Sequence, residues 1–209
     1  MHISMHKEKR LIHAGDCQSF METVKNNCER IGLKVNAAKT QLLCISTAIN
    51  YDVRARILTD DVEITSADTL KIVGFTFGRR PGVGAHVDAL RRKYGARAYV
   101  IRHLKHQAGL PSEDLVRIYC SLIRPIFEYA APAFHTLLTE EQSERLERMQ
   151  RMSLKTIFGW CTPYEECLQK AGIVTLKERR NELFKNFTRK AYASPRFSSR
   201  WFTPHQKSG

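Results

Sequence analysis

Residues 70–110 read LKIVGFTFGRRPGVGAHVDALRRKYGARAYVIRHLKHQAGL, and a change of pattern inside this stretch decides the fold. Up to Gly78 the residues are β-branched, aromatic and alternating in polarity, which is the composition of a half-buried strand. Arg79, Arg80, Pro81, Gly82 and Gly84 then form a basic joint that no strand continues through, because Pro81 lacks an amide donor and the glycines favour turns. Beyond it Val87, Leu90, Tyr94, Ile101 and Leu104 recur at the spacing of a long helix ending near Gly109. A domain boundary is placed at this joint.

Upstream, Phe20, Val24, Cys28 and Ile31 recur at helical spacing, and Gly32 stands where a left-handed cap stops a helix. QLLCIS (41–46), RILT (56–59) and VEIT (62–65) follow as strand-like runs, the last two around an Asp60-Asp61 turn. Downstream the chain is helical. Ser112 is expected to cap a helix carrying Leu115, Ile118, Tyr119 and Leu122, and Pro125 to kink or break it. Thr139/Gln142, Thr162/Glu165 and Thr175/Glu178 have capping-box spacing. Glu140, Glu141, Glu144, Arg145, Glu147, Arg148 and Arg151 alternate in sign, the pattern of a solvated helix face with intrahelical pairing. The expected class is α+β: helix plus small antiparallel sheet at 1–80, helical bundle at 81–195, and a flexible tail at 196–209 with Phe197, Trp201 and Phe202 as docking aromatics.

The 209 residues carry 34 Lys and Arg against 21 acids, a formal charge of +13 that calls for a polyanionic partner, with nucleic acid first. Arg79, Arg80, Arg91, Arg92, Lys93, Arg97, Arg102 and Lys105 crowd the joint and its helix, opposed by Asp88 alone, with Tyr94 and Tyr99 interleaved. Such a stripe can follow a phosphate backbone. Cys17, Cys28, Cys44, Cys120, Cys161 and Cys167 are scattered, unlike a dense disulfide framework, and a reducing, intracellular compartment is expected, nucleus or cytoplasm being left open. No stretch approaches the roughly 18 apolar residues of a membrane span, so no membrane partner is expected.

Other chemistries find little support. Asp60-Asp61 suits a hairpin turn better than a two-metal site, which needs a further carboxylate from another strand. No CxxC pair accompanies His103 and His106 or Cys161 and Cys167, and zinc is not expected. Neither a GxSxG elbow nor a Walker A loop occurs.

Taken in order, IGLKVNAAKTQLLCIS (31–46), TLKIVGFTFG (69–78), YCSLIRPIFEYAAPAFHTLLTEEQSERLERMQRMSLKTIFG (119–159) and GIVTLKERRNELF (172–184) resemble the end of the reverse transcriptase of non-LTR, jockey-like retrotransposons. Asn36, Lys39 and Thr40 match motif D; Gly74 and Phe75 match motif E, the primer grip; Arg124-Pro125 and Glu128-Tyr129 match the thumb. The resemblance implies a partial palm followed by a helical thumb, and an RNA/DNA hybrid as partner. It implies that Gly74 and Phe75 support the primer, that the 85–107 helix holds the duplex backbone, and that Lys39 approaches the leaving pyrophosphate in an intact enzyme. It also implies two Mg2+ in an intact family member, held by an aspartate pair that would precede this chain, together with further palm and fingers. No metal site is expected within the chain, which is read as catalytically incomplete as given. The alternatives are a free-standing basic nucleic-acid-binding module and an inert retroelement relic.

Overall fold

A computed structural model describes residues 14–47 and 55–195; the 196–209 tail with its three aromatics lies outside the described residues. The chain is mixed helix and sheet, and it divides into two units: Met1–Lys71 with Gly78–Pro81, and Ile72–Phe77 with Gly82–Gly209.

The first unit is a helix on a hairpin. Helix α1 (Ala14–Arg30) ends as expected at Gly32: φ is +74°, Leu33 N–H reaches Cys28 O and Gly32 N–H reaches Glu29 O, a Schellman closure. Strands β1 (Arg56–Thr59) and β2 (Val62–Thr65) pair antiparallel, Ile57 opposite Ile64. Asp60 and Asp61 both have positive φ, the geometry of a tight two-residue hairpin turn that Asp tolerates. Gln18 clasps the sheet edge, its amide accepting from Leu58 N–H and donating to Leu58 O. Met21, Ile57 and Ile64 form a small core with Cys17, Val35 and Leu42 against them. The helical face expected from Phe20 and Ile31 is therefore not the buried one: those side chains are 70% and 71% exposed, and burial falls on Cys17 and Met21. Nor is QLLCIS a strand; it contributes one parallel bridge, Leu42 to Ser66.

The run at 70–77, expected as one strand, is a hairpin. Strands β3 (Thr69–Ile72) and β4 (Phe75–Gly78) pair across Val73-Gly74, both with positive φ. Valine is a poor residue for that conformation because its Cβ crowds the backbone. The turn is fixed from outside: Tyr129 Oη donates to Val73 O at 3.0 Å, and its ring lies so close over Gly74 that a Cβ there would stand 2.5 Å from Cε1.

The second unit packs α2 (Gly84–Gln107), α3 (Ser112–Ile118), α4 (Arg124–Glu128), α5 (Ala131–Phe134), α6 (Glu140–Phe158), α7 (Tyr164–Ala171) and α8 (Leu176–Ala193) around one apolar core. Val87, Leu90, Tyr94 and Ile101 of α2 meet Leu146, Met149, Leu154 and Ile157 of α6 in that core. Before α4 the chain widens into a π-turn at Tyr119–Ile123, where Pro125 denies the preceding residues a regular ladder. Two expected capping boxes form, Thr139 with Gln142 and Thr175 with Glu178. The third does not: Pro163 takes the N-cap of α7, and Thr162 Oγ1 donates backward to Phe158 O. Likewise Pro111 rather than Ser112 precedes α3, with no side-chain cap. A proline there already fixes the extended backbone that a cap residue needs.

His86 lies under the hairpin tip. It is 1% exposed, stacks on Phe75 at 4.4 Å, and accepts Thr76 N–H at Nδ1. Burial first, and Lys93 second, push its pKa down to about 4. The unfolded chain then binds a proton below pH 6.5 that the folded chain refuses, so stability is full above 6.5 and is lost as pH falls toward 4. Denaturant unfolding should show about 2 kcal/mol lost to this group between pH 7 and 5, a component that a His86→Gln variant lacks.

Candidate nucleic-acid interface

Counted at about 100° per residue from Arg92, Arg91 and Arg102 fall on one shoulder of α2 at about −100° and −80°, and Lys93 on the other at about +100°. Arg97 and Lys105 roll further under, to about +140° and −140°. Their contacts agree with that placement. Arg97 Nη1 donates to Leu122 O at 2.6 Å, and Lys105 Nζ donates to Thr156 O and Ile157 O at 2.7 and 2.8 Å, closing the C-terminal turn of α6. Arg91, Arg92, Lys93 and Arg102 are exposed and make no hydrogen bond or ion pair with a described residue. Asp88, the acid opposing them, is taken by Arg145 of α6 at 2.7 Å. Four cations thus share the solvent arc, and two serve the bundle.

The interleaved tyrosines divide in the same way. Tyr94 is 8% exposed, its hydroxyl accepting from Ser153 Oγ at 3.2 Å, and burial raises its pKa. Tyr99 is on the solvent side, stacked on His103 at 5.8 Å. Lys105→Ala should destabilise the second unit by about 1.5–3 kcal/mol, since it removes a charged donor from two helix-end carbonyls. Thermal or denaturant unfolding reads that loss, while the affinity of the folded variant for a blunt duplex should be unchanged.

The remaining expected site residues are placed as follows. Phe75 is half-buried between Phe77 and His86 and packs on the apolar core; Gly74 is the hairpin tip under Tyr129. Arg79 and Arg80 belong to the first unit, where Arg79 pairs with Asp68 at 3.4 Å and Arg80 is exposed. Lys39, also in the first unit, is exposed at the end of a 3-10 turn. Asn36 Oδ1 accepts Lys39 N–H, and Thr40 Oγ1 donates to Asn36 O, so the spacing of Asn36 and Thr40 has a local cause in backbone capping, which leaves the lysine side chain unused.

The described residues do not fit a pair of Mg2+ ions. Asp60 is held by Lys25, whose hydrogen bond lowers the Asp60 pKa while raising its own, and no group of three or more His, Cys, Asp or Glu among the described residues could hold a metal ion. No helix among them is long and apolar enough to cross a membrane.

The sequence reading missed one cluster outright. Glu147, expected on a solvated face, is 8% exposed and accepts Leu176 N–H, Lys177 N–H and the Tyr164 hydroxyl, so that it caps α8 from α6. Gln150 extends the cluster to Tyr119 and Val174 O, and burial raises the pKa of both tyrosines. Arg124 and Arg179 converge on Glu128 at 2.9 and 3.1 Å, tying α4 to α8. Comparison of the chain with protein-family models, with curated proteins and with solved structures finds no match in any of the three.

Proposed function

We propose that this chain grips a nucleic-acid duplex as part of the palm end and thumb of a retroelement reverse transcriptase, with an RNA/DNA hybrid as its ligand. The observation that carries the binding half of this reading is the solvent arc of α2, where Arg91, Arg92, Lys93 and Arg102 stand without a described counter-ion. Arg91, Arg92 and Lys93, held within one helical turn, repel one another, and a phosphate backbone relieves that repulsion by direct contact and counter-ion release, with Arg102 prolonging the arc further along the helix. A helix face of this kind reads shape and charge, as suits a duplex of any sequence.

The retroelement half rests on the four serial motifs. Two of them meet inside the second unit: Gly74 of the hairpin lies against Tyr129 of the Glu-Tyr-Ala segment. In this reading Gly74 and Phe75 are the half-buried footing of the grip, and the arginines of α2 are its surface. Nucleotide addition would draw its metal-binding carboxylates from other residues of an intact enzyme, where Lys39 would face the leaving pyrophosphate as a charge stabiliser.

Fluorescence anisotropy with a blunt RNA/DNA hybrid, the matching DNA duplex and each single strand tests the reading. The hybrid is expected to bind at least as tightly as the DNA duplex, with sequence making little difference. Failure to bind any duplex at low salt would overturn it.

A further inference from the structure

At the far end of α2 the bundle carries a cleft of about 150 Å³ lined by Arg102, Lys105, His106, Lys155, Gly159 and Trp160 together with Thr156. No carboxylate of a described residue lines it. Its floor is the C-terminal turn of α6, whose carbonyls would ordinarily repel an anion. Two of those carbonyls are already occupied, Lys105 Nζ donating to Thr156 O and Ile157 O, and just beyond the helix Lys155 Nζ donates to Trp160 O at 3.3 Å. An ammonium has three donors, so one remains on Lys105 and two on Lys155. Arg102 and His106 are exposed and make no hydrogen bond or ion pair with a described residue.

Beside this cationic cleft stands Trp160, 64% exposed. Gly159, with φ of +109° and ψ of 148°, ends α6 and turns the chain so that the indole does not fold back into the core. A large aromatic left in water next to an array of cations has the two components that a single-stranded nucleic acid uses: a platform for a base and donors for its phosphate.

We propose that this cleft is a binding site for one nucleotide of a single strand, its phosphate held between Arg102 and His106 and its base stacked on Trp160. The inference rests on the reading of α2 as a nucleic-acid-binding face and assigns that face a direction. Arg102 lies 11 residues beyond Arg91 on the same shoulder of the helix, about 16 Å along its axis. That distance is about five steps of a strand at 3.4 Å each. A strand following the shoulder therefore leaves the duplex-gripping arginines and arrives at the cleft, where the indole takes a base that is no longer paired. Stacking needs an unpaired base, so the site distinguishes a strand that extends past the duplex from a blunt end.

The test compares a blunt RNA/DNA hybrid with the same hybrid carrying five-nucleotide extensions, 5′ or 3′, using the full chain and its Trp160→Ala and His106→Ala variants. One of the extended hybrids is expected to bind about 5- to 100-fold more tightly than the blunt one, and Trp160→Ala should abolish that gain while leaving blunt-hybrid affinity unchanged. His106→Ala should reduce the gain. In a Trp201→Phe background Trp160 is the remaining tryptophan, and its fluorescence should be quenched by the extended hybrid and by a short oligothymidylate, but not by inorganic phosphate. Equal affinity for blunt and extended hybrids, or a gain that survives Trp160→Ala, overturns the site while leaving the α2 reading intact. If no hybrid binds, the α2 reading fails, and the oligothymidylate quench then decides the cleft by itself.

Discussion

Glu147→Ala is expected to lower the unfolding free energy of the second unit by about 3–5 kcal/mol, the usual cost of removing one partner from a buried charged network. Glu147 takes two backbone amides at the start of α8 and the hydroxyl of Tyr164, so its loss leaves two buried donors and one part-buried donor unanswered. The damage reaches further. Arg180 is fully buried, donates to Ser143 Oγ at 2.8 Å, and has no partner for Nε or Nη1 among the described residues. Burial lowers its pKa, and the Glu147 charge is what opposes that shift. Without the carboxylate the guanidinium is an uncompensated buried charge. In urea the midpoint should fall by more than 1 M, given slopes of about 1–3 kcal/mol per M for small domains. Glu147→Gln, which keeps the acceptor oxygen but not the charge, should lose less. A drop below about 1 kcal/mol for the alanine variant would mean that α8 is held by its apolar face alone.

Changing Arg91, Arg92 and Lys93 together to Ala is expected to weaken hybrid binding up to several hundred-fold at about 0.1 M salt. Each phosphate neutralised contributes about 0.9 to the salt slope of log K, and thus about tenfold in affinity between 1 M and 0.1 M salt. Three contacts multiply. These side chains are exposed and make no hydrogen bond or ion pair with a described residue, so stability should move little, or rise as repulsion is relieved. The separation from Lys105→Ala is the informative part, because the two substitutions lie on one helix and are expected to act on different quantities.

Much of the fold was legible because local physics decided it. Gly32 ends α1 since the cap needs a left-handed residue, and Thr139/Gln142 and Thr175/Glu178 close as boxes since nothing competes for their amides. Where tertiary contacts decided, the sequence misled. Val73 is no turn former, and only Tyr129, 56 residues downstream, explains why the chain reverses there. Glu147 sits in a run of alternating charge that looks solvated; its burial depends on where α8 begins. Thr162 lost its capping role to Pro163, a competitor visible in the sequence.

The candidate interface was legible as charge and illegible as geometry. Counting cations found the right helix, but only the angular position about its axis separates Arg91, Arg92, Lys93 and Arg102 from Arg97 and Lys105. The same count was available from the sequence, since Val87, Leu90, Tyr94 and Ile101 already mark the buried side. Trp160 had no such signal. Its exposure follows from the way Gly159 ends α6, which spacing does not reveal.

The most direct test of the central claim is the salt dependence of binding to a blunt hybrid, measured by anisotropy for the unaltered chain, the Arg91/Arg92/Lys93 alanine variant and Lys105→Ala. The account predicts a steep linear fall of log K with log salt for the unaltered chain, a slope shallower by about 2 to 3 in the triple variant, and an unchanged slope for Lys105→Ala. A flat salt dependence, or a slope that the triple substitution leaves untouched, would contradict it, and the charge on α2 would then have no part in holding nucleic acid.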